Sequence, residues 1–258
     1  MRDQSSSSSS TPASPLASPP ASTLSSTLSS NIGCIPSLDP EARRLACERL
    51  DSLTKPPGSL GRLEVLAANL AAMTGEPLPR VDPAAIIVFA ADHGVSAEGV
   101  SAFPSSVTTQ MVANFARGGA AINVFARQIN ARLEVVDVGV TTPCDQVPGV
   151  VLDRVRAGSG NIACEDAMSP GEVEAALKVG IRAVERARAA GARCVILGGM
   201  GIANTTASSA LLAAFTGLCA EAVAGRGTGI DDARLAHKRK VIARALARGT
   251  GDTALDTL

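Results

Sequence analysis

Three short apolar runs rich in β-branched residues restrict the fold of this chain more than any other feature: AAIIVFAAD at 84–92, RLEVVDVGV at 132–140 and RCVILGG at 193–199. Each is bounded by polar or glycine-rich sequence and is short for a helix, so each predicts a strand, a buried one at 84–92. Longer segments of helical period lie between and after them. Residues 105–129 predict a helix interrupted at Gly118-Gly119. Residues 169–191 carry Ser169 as N-cap, Pro170 next and Glu172 to close a capping box, with Val173, Leu177, Ile181 and Val184 on one face before Gly191. A helix from about Asn204 to Phe215 and another over DDARLAHKRKVIARALARG follow, the latter with acids at its start and bases in its later turns. Such alternation is satisfied by an α/β fold, a parallel sheet with helices on both faces.

The region before residue 84 has no strand pattern. LDPEARRLACERLDSL predicts a helix with Asp39 as N-cap and Pro40 at its first position. KPPG then enforces a turn, and Ser59 to Gly75 reads as a second helix, so the chain carries a small helical N-terminal part. Residues 1–30 hold 13 Ser, three Thr and four Pro with only two charges, Arg2 and Asp3. Such a stretch cannot bury enough apolar surface to offset its chain entropy. The expected division is a disordered tail over 1–38 and an α/β domain over 39–258. The tail lacks the apolar centre of a secretory signal and has a single Arg, which makes it a poor transit peptide. A cytoplasmic protein is expected, with an organellar address as the minority reading.

Composition narrows the function. Twenty-four basic residues balance 24 acidic ones, and the chain has five Phe but no Tyr or Trp. Neither a nucleic-acid surface nor a base-stacking platform is indicated. No apolar run reaches the length of a membrane span. Six cysteines without a CxxC, together with only His93 and His237, offer no metal-ligand spacing. The cysteines read as small buried hydrophobes in a reducing compartment. No metal and no cofactor are expected.

In parallel sheets, ligands bind beyond the carboxyl ends of the strands. Loop 198–206, GGMGIANTT, ends a strand and opens a helix, where free N–H groups and the helix dipole favour an anion. Gly199, Gly201, Asn204, Thr205 and Thr206 are its candidate contacts. The plain alternative is a β–α turn capped by Asn204. GxxxxGK[ST] is absent, and Asn204 stands where a dinucleotide fingerprint needs its third glycine, so a nicotinamide-dinucleotide dehydrogenase fits poorly. The cluster GRGTG at 225–229 supplies Gly227, Thr228 and Gly229. Lys238, nine residues past Gly229, is placed to reach back toward a phosphate as a point charge, although a solvated surface lysine is the plainer reading. Phe103 and Pro104 form an apolar lip before a helix that carries Gln110 and Met111, which suits a flat ring. Asp92-His93 at a strand end is either acid–base chemistry or a carboxylate that orients a loop. Arg156 serves anion binding or loop bracing.

These stretches, taken in order, resemble the nicotinate-nucleotide–dimethylbenzimidazole phosphoribosyltransferase family of cobalamin biosynthesis. The resemblance rests on KPPGSLGRLE (55–64), ADHGVSAEGVSAFPSSVTTQMVANFARGGAAINVFARQ (91–128), VDVGV (136–140), RAGSGNIA (156–163), GMGIANTT (199–206) and GRGTGIDDARLAHKRKVI (225–242). It implies a Rossmann-like parallel sheet, a small helical domain and a homodimer. It implies a pentosyltransferase that moves phosphoribose from nicotinate mononucleotide to 5,6-dimethylbenzimidazole, giving α-ribazole 5′-phosphate and nicotinate. It implies no metal or bound cofactor. The family usually carries a glutamate where this chain has Gly199. The family also continues beyond the point matching Leu258, with a further glutamate regarded as the general base, so a truncated chain is expected. Asp92 and Glu98 are then the candidate substitutes for that base. The alternative is a catalytically impaired or binding-only relative.

Overall fold

In the computed structural model, the described residues are 35–250 and Thr257. The expected tail over 1–38 therefore lies almost wholly outside the described residues.

Four parallel strands form one sheet in the order β3-β2-β1-β4. They are β1 (Ala84–Ala91), β2 (Arg132–Gly139), β3 (Val150–Leu152) and β4 (Cys194–Met200). Strand β1 is paired along its length on both edges, Val88 standing opposite Val135 on one side and Gly198 on the other. Alternation along β1 divides the core. Ile86, Val88 and Ala90 pack with Val112, Phe115 and Ala126 from α3 (Ser106–Ala116) and α4 (Ala121–Gln128). Ala85 and Ile87 pack with Val136 and with Val179, Ala183 and Ala187 from α5 (Pro170–Ala189) on the other face. A β-branched run with no polar alternation is what a strand covered on both faces requires.

The interruption at Gly118-Gly119 separates α3 from α4 as expected. Helix α5 has the expected cap: the Ser169 hydroxyl accepts from the Glu172 N–H, and Glu172 Oε2 accepts from the Ser169 N–H at 2.7 Å. Its buried face differs from the expected one. Val179, Ala183 and Ala187 face the sheet together with Val173, while Val184 is exposed. Small alanines let the helix axis approach the strands, and the larger Leu177, Ile181 and Val184 are displaced to the flanks.

Three elements escaped the sequence reading, one of them the four-residue helix Ala220–Val223. Strand β3 is three residues long, below the length at which periodicity is visible, although Val150-Val151-Leu152 is its signal. A one-and-a-half-turn 3₁₀ helix, Gly94–Glu98, follows β1. The run at 193–199 forms a strand as expected. It is an edge strand among the described residues, and Leu197 is 69% exposed.

Before the sheet, α1 (Pro40–Asp51) and α2 (Arg62–Thr74) form an antiparallel pair. Asp39 caps α1 by accepting from the N–H groups of Glu41 and Ala42 at 2.9 and 3.0 Å. Lys55 Nζ meets Glu64 Oε1 at 2.8 Å across the Pro56-Pro57-Gly58 turn. That turn extends through Gly61 (φ 54°), so α2 begins at Arg62 and not at Ser59. Ala42, Ala46 and Ala71 form the seam, and Arg193 holds Glu76 with two bonds of 2.7 Å. After β4 come α6 (Asn204–Thr216), the single turn α7 (Ala220–Val223) and α8 (Asp232–Ala247). No helix among the described residues is long and apolar enough to cross a membrane.

The alanine face of α5 makes a prediction. Ala183 is fully buried against the sheet. Ala183→Leu should destabilise the fold by about 1–3 kcal/mol through overpacking, read as a lower urea midpoint at unchanged slope. Val184→Leu on the neighbouring exposed position should leave the midpoint unchanged.

Candidate active site

Because every strand runs the same way, all four carboxyl ends open at one side of the molecule. The strand order reverses between β1 and β4, and there the loops after the two strands must diverge and leave a crevice. Loop 92–105 leaves β1 and loop 201–203 leaves β4.

The two loops meet at Gly201 and His93, and again where Ala203 packs with Val95 and Val100. A Cβ at Gly201 would run into the Ala91 carbonyl oxygen and would lie 2.9 Å from His93 Cδ2 and 3.0 Å from Nε2. Only a glycine admits the imidazole there. Gly94 is held as tightly on its other side: a Cβ would lie 2.6 Å from Gly160. The Gly94 N–H donates to the Ser159 carbonyl at 3.1 Å, and the Ser159 N–H donates to the Asp92 carbonyl at 3.0 Å. On α3, buried Thr108 Oγ1 accepts from the Ile202 N–H at 3.2 Å. Sequence reasoning missed Thr108, because a threonine inside an amphipathic helix carries no signal of its partner.

From Gly201 the chain enters α6. Ala203 adopts φ 70°, the left-handed region, and α6 begins at Asn204. No side chain caps this end, but the Asn204 and Thr206 N–H groups already donate to the Gly201 and Ala203 carbonyls at 3.1 and 2.9 Å, so of the first three only the Thr205 N–H is left to an anion. Thr205 stands exposed on the first turn, whereas Thr206 is wholly buried and its hydroxyl has no hydrogen-bond partner. Of the two threonines expected to face a ligand, the helical rotation presents Thr205 and turns Thr206 into the protein.

Lys238 is the centre of this end of the site. It is 1% exposed, so the plainer expectation of a surface lysine is wrong. Its Nζ donates to Thr205 Oγ1 at 2.7 Å and to the Gly225 carbonyl at 3.1 Å. A Cβ at Gly227 (φ 54°) would lie 3.1 Å from Thr205 Oγ1 and 3.8 Å from Lys238 Nζ, so the second glycine loop lies over this pair. The structure thus joins Thr205, Gly227 and Lys238, which the sequence could place only on separate segments. Thr228 and Gly229 continue the same exposed loop. Lys238 forms no ion pair among the described residues. Burial pushes its ammonium below the ordinary lysine range. The missed signal was spacing: Leu235, Lys238, Val241 and Ile242 form one stripe of α8, and all four are buried.

The other expected residues divide. Met111 packs beside Met200 against the core on the α3 side of the sheet. Phe103 is 49% exposed, and Pro104 and Gln110 are exposed, which makes a solvent-facing lip at the head of α3. Gly199 is exposed, and a Cβ there would meet nothing closer than Asn204 Nδ2 at 3.6 Å, so a side chain fits.

Of the two candidate bases, only Glu98 is engaged on both carboxylate oxygens. Asp92 is 6% exposed; its Oδ2 accepts from the Thr141 N–H at 2.8 Å and latches the turn after β2, while its Oδ1 is buried with no hydrogen-bond partner. Glu98 Oε1 accepts from Asn161 Nδ2 at 2.7 Å, and its Oε2 pairs with Arg244. The Asn161 amide and the Arg244 guanidinium hold the Glu98 carboxyl below the usual carboxylate range. Arg156 braces its loop, donating to the Ala167 carbonyl at 3.0 Å and to Glu172 at 3.2 Å.

A cavity of about 540 Å3 opens between α5, α6 and α8, with Asp92, His93, Ser159, Val173 and Leu211 in its wall. Phe103, Gln110, Gly227 and Lys238 do not line it. Burial pushes the His93 imidazole below its ordinary value of 6.5, against the opposing pull of Asp92. The folded chain therefore binds a proton here less readily than the unfolded chain. The stability this difference supplies is complete above about pH 6.5 and is lost as pH falls through that value. His93→Gln should flatten the fall of the urea midpoint between pH 7 and pH 5.

Comparison with known proteins bears on the fold and the family. Residues 35–258 match a family described as Phosphoribosyltransferase. A nicotinate-nucleotide–dimethylbenzimidazole phosphoribosyltransferase of Chromobacterium violaceum is 56% identical over 223 residues, 86% of this chain and 64% of that protein. Its counterpart from Thermus thermophilus is 52% identical over 211 residues, 82% of this chain and 63% of the relative. The crystal structure of CobT from Thermus thermophilus superposes with a TM-score of 0.79 at 50% identity, covering 84% of this chain and 66% of that one. The chain thus spans just under two thirds of the length of these relatives.

Proposed function

The chain belongs to the nicotinate-nucleotide–dimethylbenzimidazole phosphoribosyltransferase family, and from that premise we propose that the protein transfers phosphoribose from nicotinate mononucleotide to 5,6-dimethylbenzimidazole. The products are α-ribazole 5′-phosphate and nicotinate. The observation that carries this reading is Lys238, a buried ammonium with no carboxylate beside it, at the junction of two glycine loops and an uncapped helix start. A buried cation is costly unless a counter-charge arrives. A monoester phosphate supplies that charge and also accepts from the Thr205 hydroxyl and N–H and from the Gly227 and Thr228 N–H groups.

With the phosphate so held, the ribose extends toward the crevice between β1 and β4. The acceptor ring lies against Phe103, Pro104 and Met111 with Gln110 at its edge. One ring nitrogen of the azole attacks the anomeric carbon as the bond to nicotinate breaks, through a cationic, oxocarbenium-like sugar. The proton on the other ring nitrogen must then pass to a base, a step worth about 10²–10⁴-fold where a base is positioned. Glu98 is not assigned this role, because a hydrogen bond and an ion pair occupy both of its oxygens; Asp92, which keeps Oδ1 unpartnered in the cavity wall, stays the candidate. We place the reaction in the cytoplasm of a homodimeric protein, in keeping with the five free thiols among the described residues. A second reading, binding without turnover, is favoured by one feature: Gly199 stands where the family usually carries a glutamate.

A product assay separates the two. Nicotinate mononucleotide and dimethylbenzimidazole incubated with the purified chain should yield α-ribazole 5′-phosphate by mass above a no-protein control; binding without product supports the second reading. Lys238→Met should weaken nicotinate mononucleotide binding by about 10–100-fold, as expected for loss of a charge-assisted hydrogen bond, and leave azole binding unchanged. Its urea midpoint should equal or exceed the wild type, since a buried charge is removed. Unchanged nucleotide affinity would remove Lys238 from the site. Gly199→Glu, for which the backbone leaves space, should raise the rate of product formation; an unchanged rate would show that this position does not limit turnover.

A further inference from the structure

Glu98 is unavailable as a base, yet it is tied to several elements around the site at once. It ends the 3₁₀ helix after β1 and directly precedes Gly99, whose φ of 69° turns the chain into the segment carrying Phe103 and Pro104. Its side chain is only 18% exposed and is held on both oxygens, by Asn161 and by Arg244. The Cys164 thiol approaches the same Oε1 at 3.8 Å. Its main-chain carbonyl also meets His237 Nε2 at 2.6 Å. His237 and Arg244 are seven residues apart on α8, two turns along one side of the helix. Side chain and backbone of one residue thus brace the root of the lip against α8 and against the 161–164 loop.

The lip and the helix joined by Glu98 are unequally anchored. Helix α8 has its own footing in the buried stripe of Leu235, Lys238, Val241 and Ile242. The lip has less: Val100 packs with Val95, Ala163, Ala203 and Val241, and the Ser96 and Ser105 hydroxyls meet at 2.8 Å. Phe103 itself remains half exposed. Loss of the Glu98 tie therefore frees the lip and leaves the helix with Lys238 in place.

We propose that Glu98 is a positioning residue, an ion-paired strut that fixes the acceptor lip relative to the phosphate-holding helix and so sets affinity for the azole. The proposal rests on the reading of the lip and of Lys238 given above. A carboxylate is suited to this role because two hydrogen-bonding partners and one full countercharge, held in fixed directions, define an orientation that a single contact does not.

The test uses the full chain. Tyr and Trp are absent from it, so the fluorescence of dimethylbenzimidazole is read without protein background in that region. Glu98→Gln and Arg244→Gln should each weaken azole binding about 5- to 20-fold, the range for one lost charge-assisted contact. The double variant should be no worse than either single one, because both remove the same tie. Arg244→Lys should recover part of the loss. Affinity for nicotinate mononucleotide should stay within about twofold of wild type in all of them, since Lys238 keeps its own anchorage. Unchanged azole affinity in both single variants overturns the proposal. So does a parallel loss of azole and nucleotide binding with a lowered urea midpoint, which would mark general loosening. Retained azole affinity with loss of turnover alone would return Glu98 to the role of base. A wild-type chain that binds nucleotide but not the azole overturns the lip assignment and this inference with it; one that binds neither overturns the functional reading itself.

Discussion

Strand β1 is hydrogen-bonded in parallel on both of its edges, by β2 and by β4, and the placement of every loop around the site follows from that pairing. Parallel neighbours send their carboxyl ends to the same side. They also oblige the chain to cross the sheet faces between strands, so helices α3 and α4 cover one face and α5 the other. The reversal of strand order between β1 and β4 then opens a crevice at a defined place. The glycine contact between Gly201 and the His93 ring sits at that place because two backbones diverge from adjacent strands with no room for a side chain between them.

Lys238 concentrates the energetic tension of the structure. An ammonium buried among Leu235, Val241 and Ile242 loses its hydration, and two neutral acceptors, Thr205 Oγ1 and the Gly225 carbonyl, only partly replace it. A fold tolerates such a group when the geometry serves a purpose that stability alone does not reward. The exposed loop at Gly227–Gly229 and the uncapped start of α6 lie beside the ammonium, so an arriving anion would complete its coordination. Asp92 and Glu98 are the opposite case. Glu98 through both oxygens and Asp92 through Oδ2 hold loops in place, which explains how a glycine-rich set of connections is kept in one arrangement.

The legibility of these features in the sequence followed the range of the interactions behind them. The caps at Asp39 and Ser169 and the break at Gly118-Gly119 involve partners a few residues away, and all were visible as residue patterns. The packing face of α5 was not, because the sequence marks the largest apolar side chains while close approach to a sheet selects the smallest. Strand β3 was too short to display a period, and the edge position of β4 depends on which strands neighbour it. In the site, the two glycine loops were evident as loops, but Thr205 and Thr206 differ only by the rotation of one helical residue, which decides that one is exposed and the other buried.

Residue order alone settles the class of fold, the glycine loops at strand ends and the family to which the chain is similar, since each of these is written in local composition and spacing. Folding in three dimensions settles which of those residues meet. Thr205, Gly227 and Lys238 come together across as many as 33 positions because α8 packs on α6, and Glu98 reaches Arg244 because the loop after β1 folds onto the same helix. The physical reason is common to both. A buried lysine and a braced glutamate are defined by desolvation and by partners distant in the chain, and neither property belongs to a residue until the surfaces around it have closed.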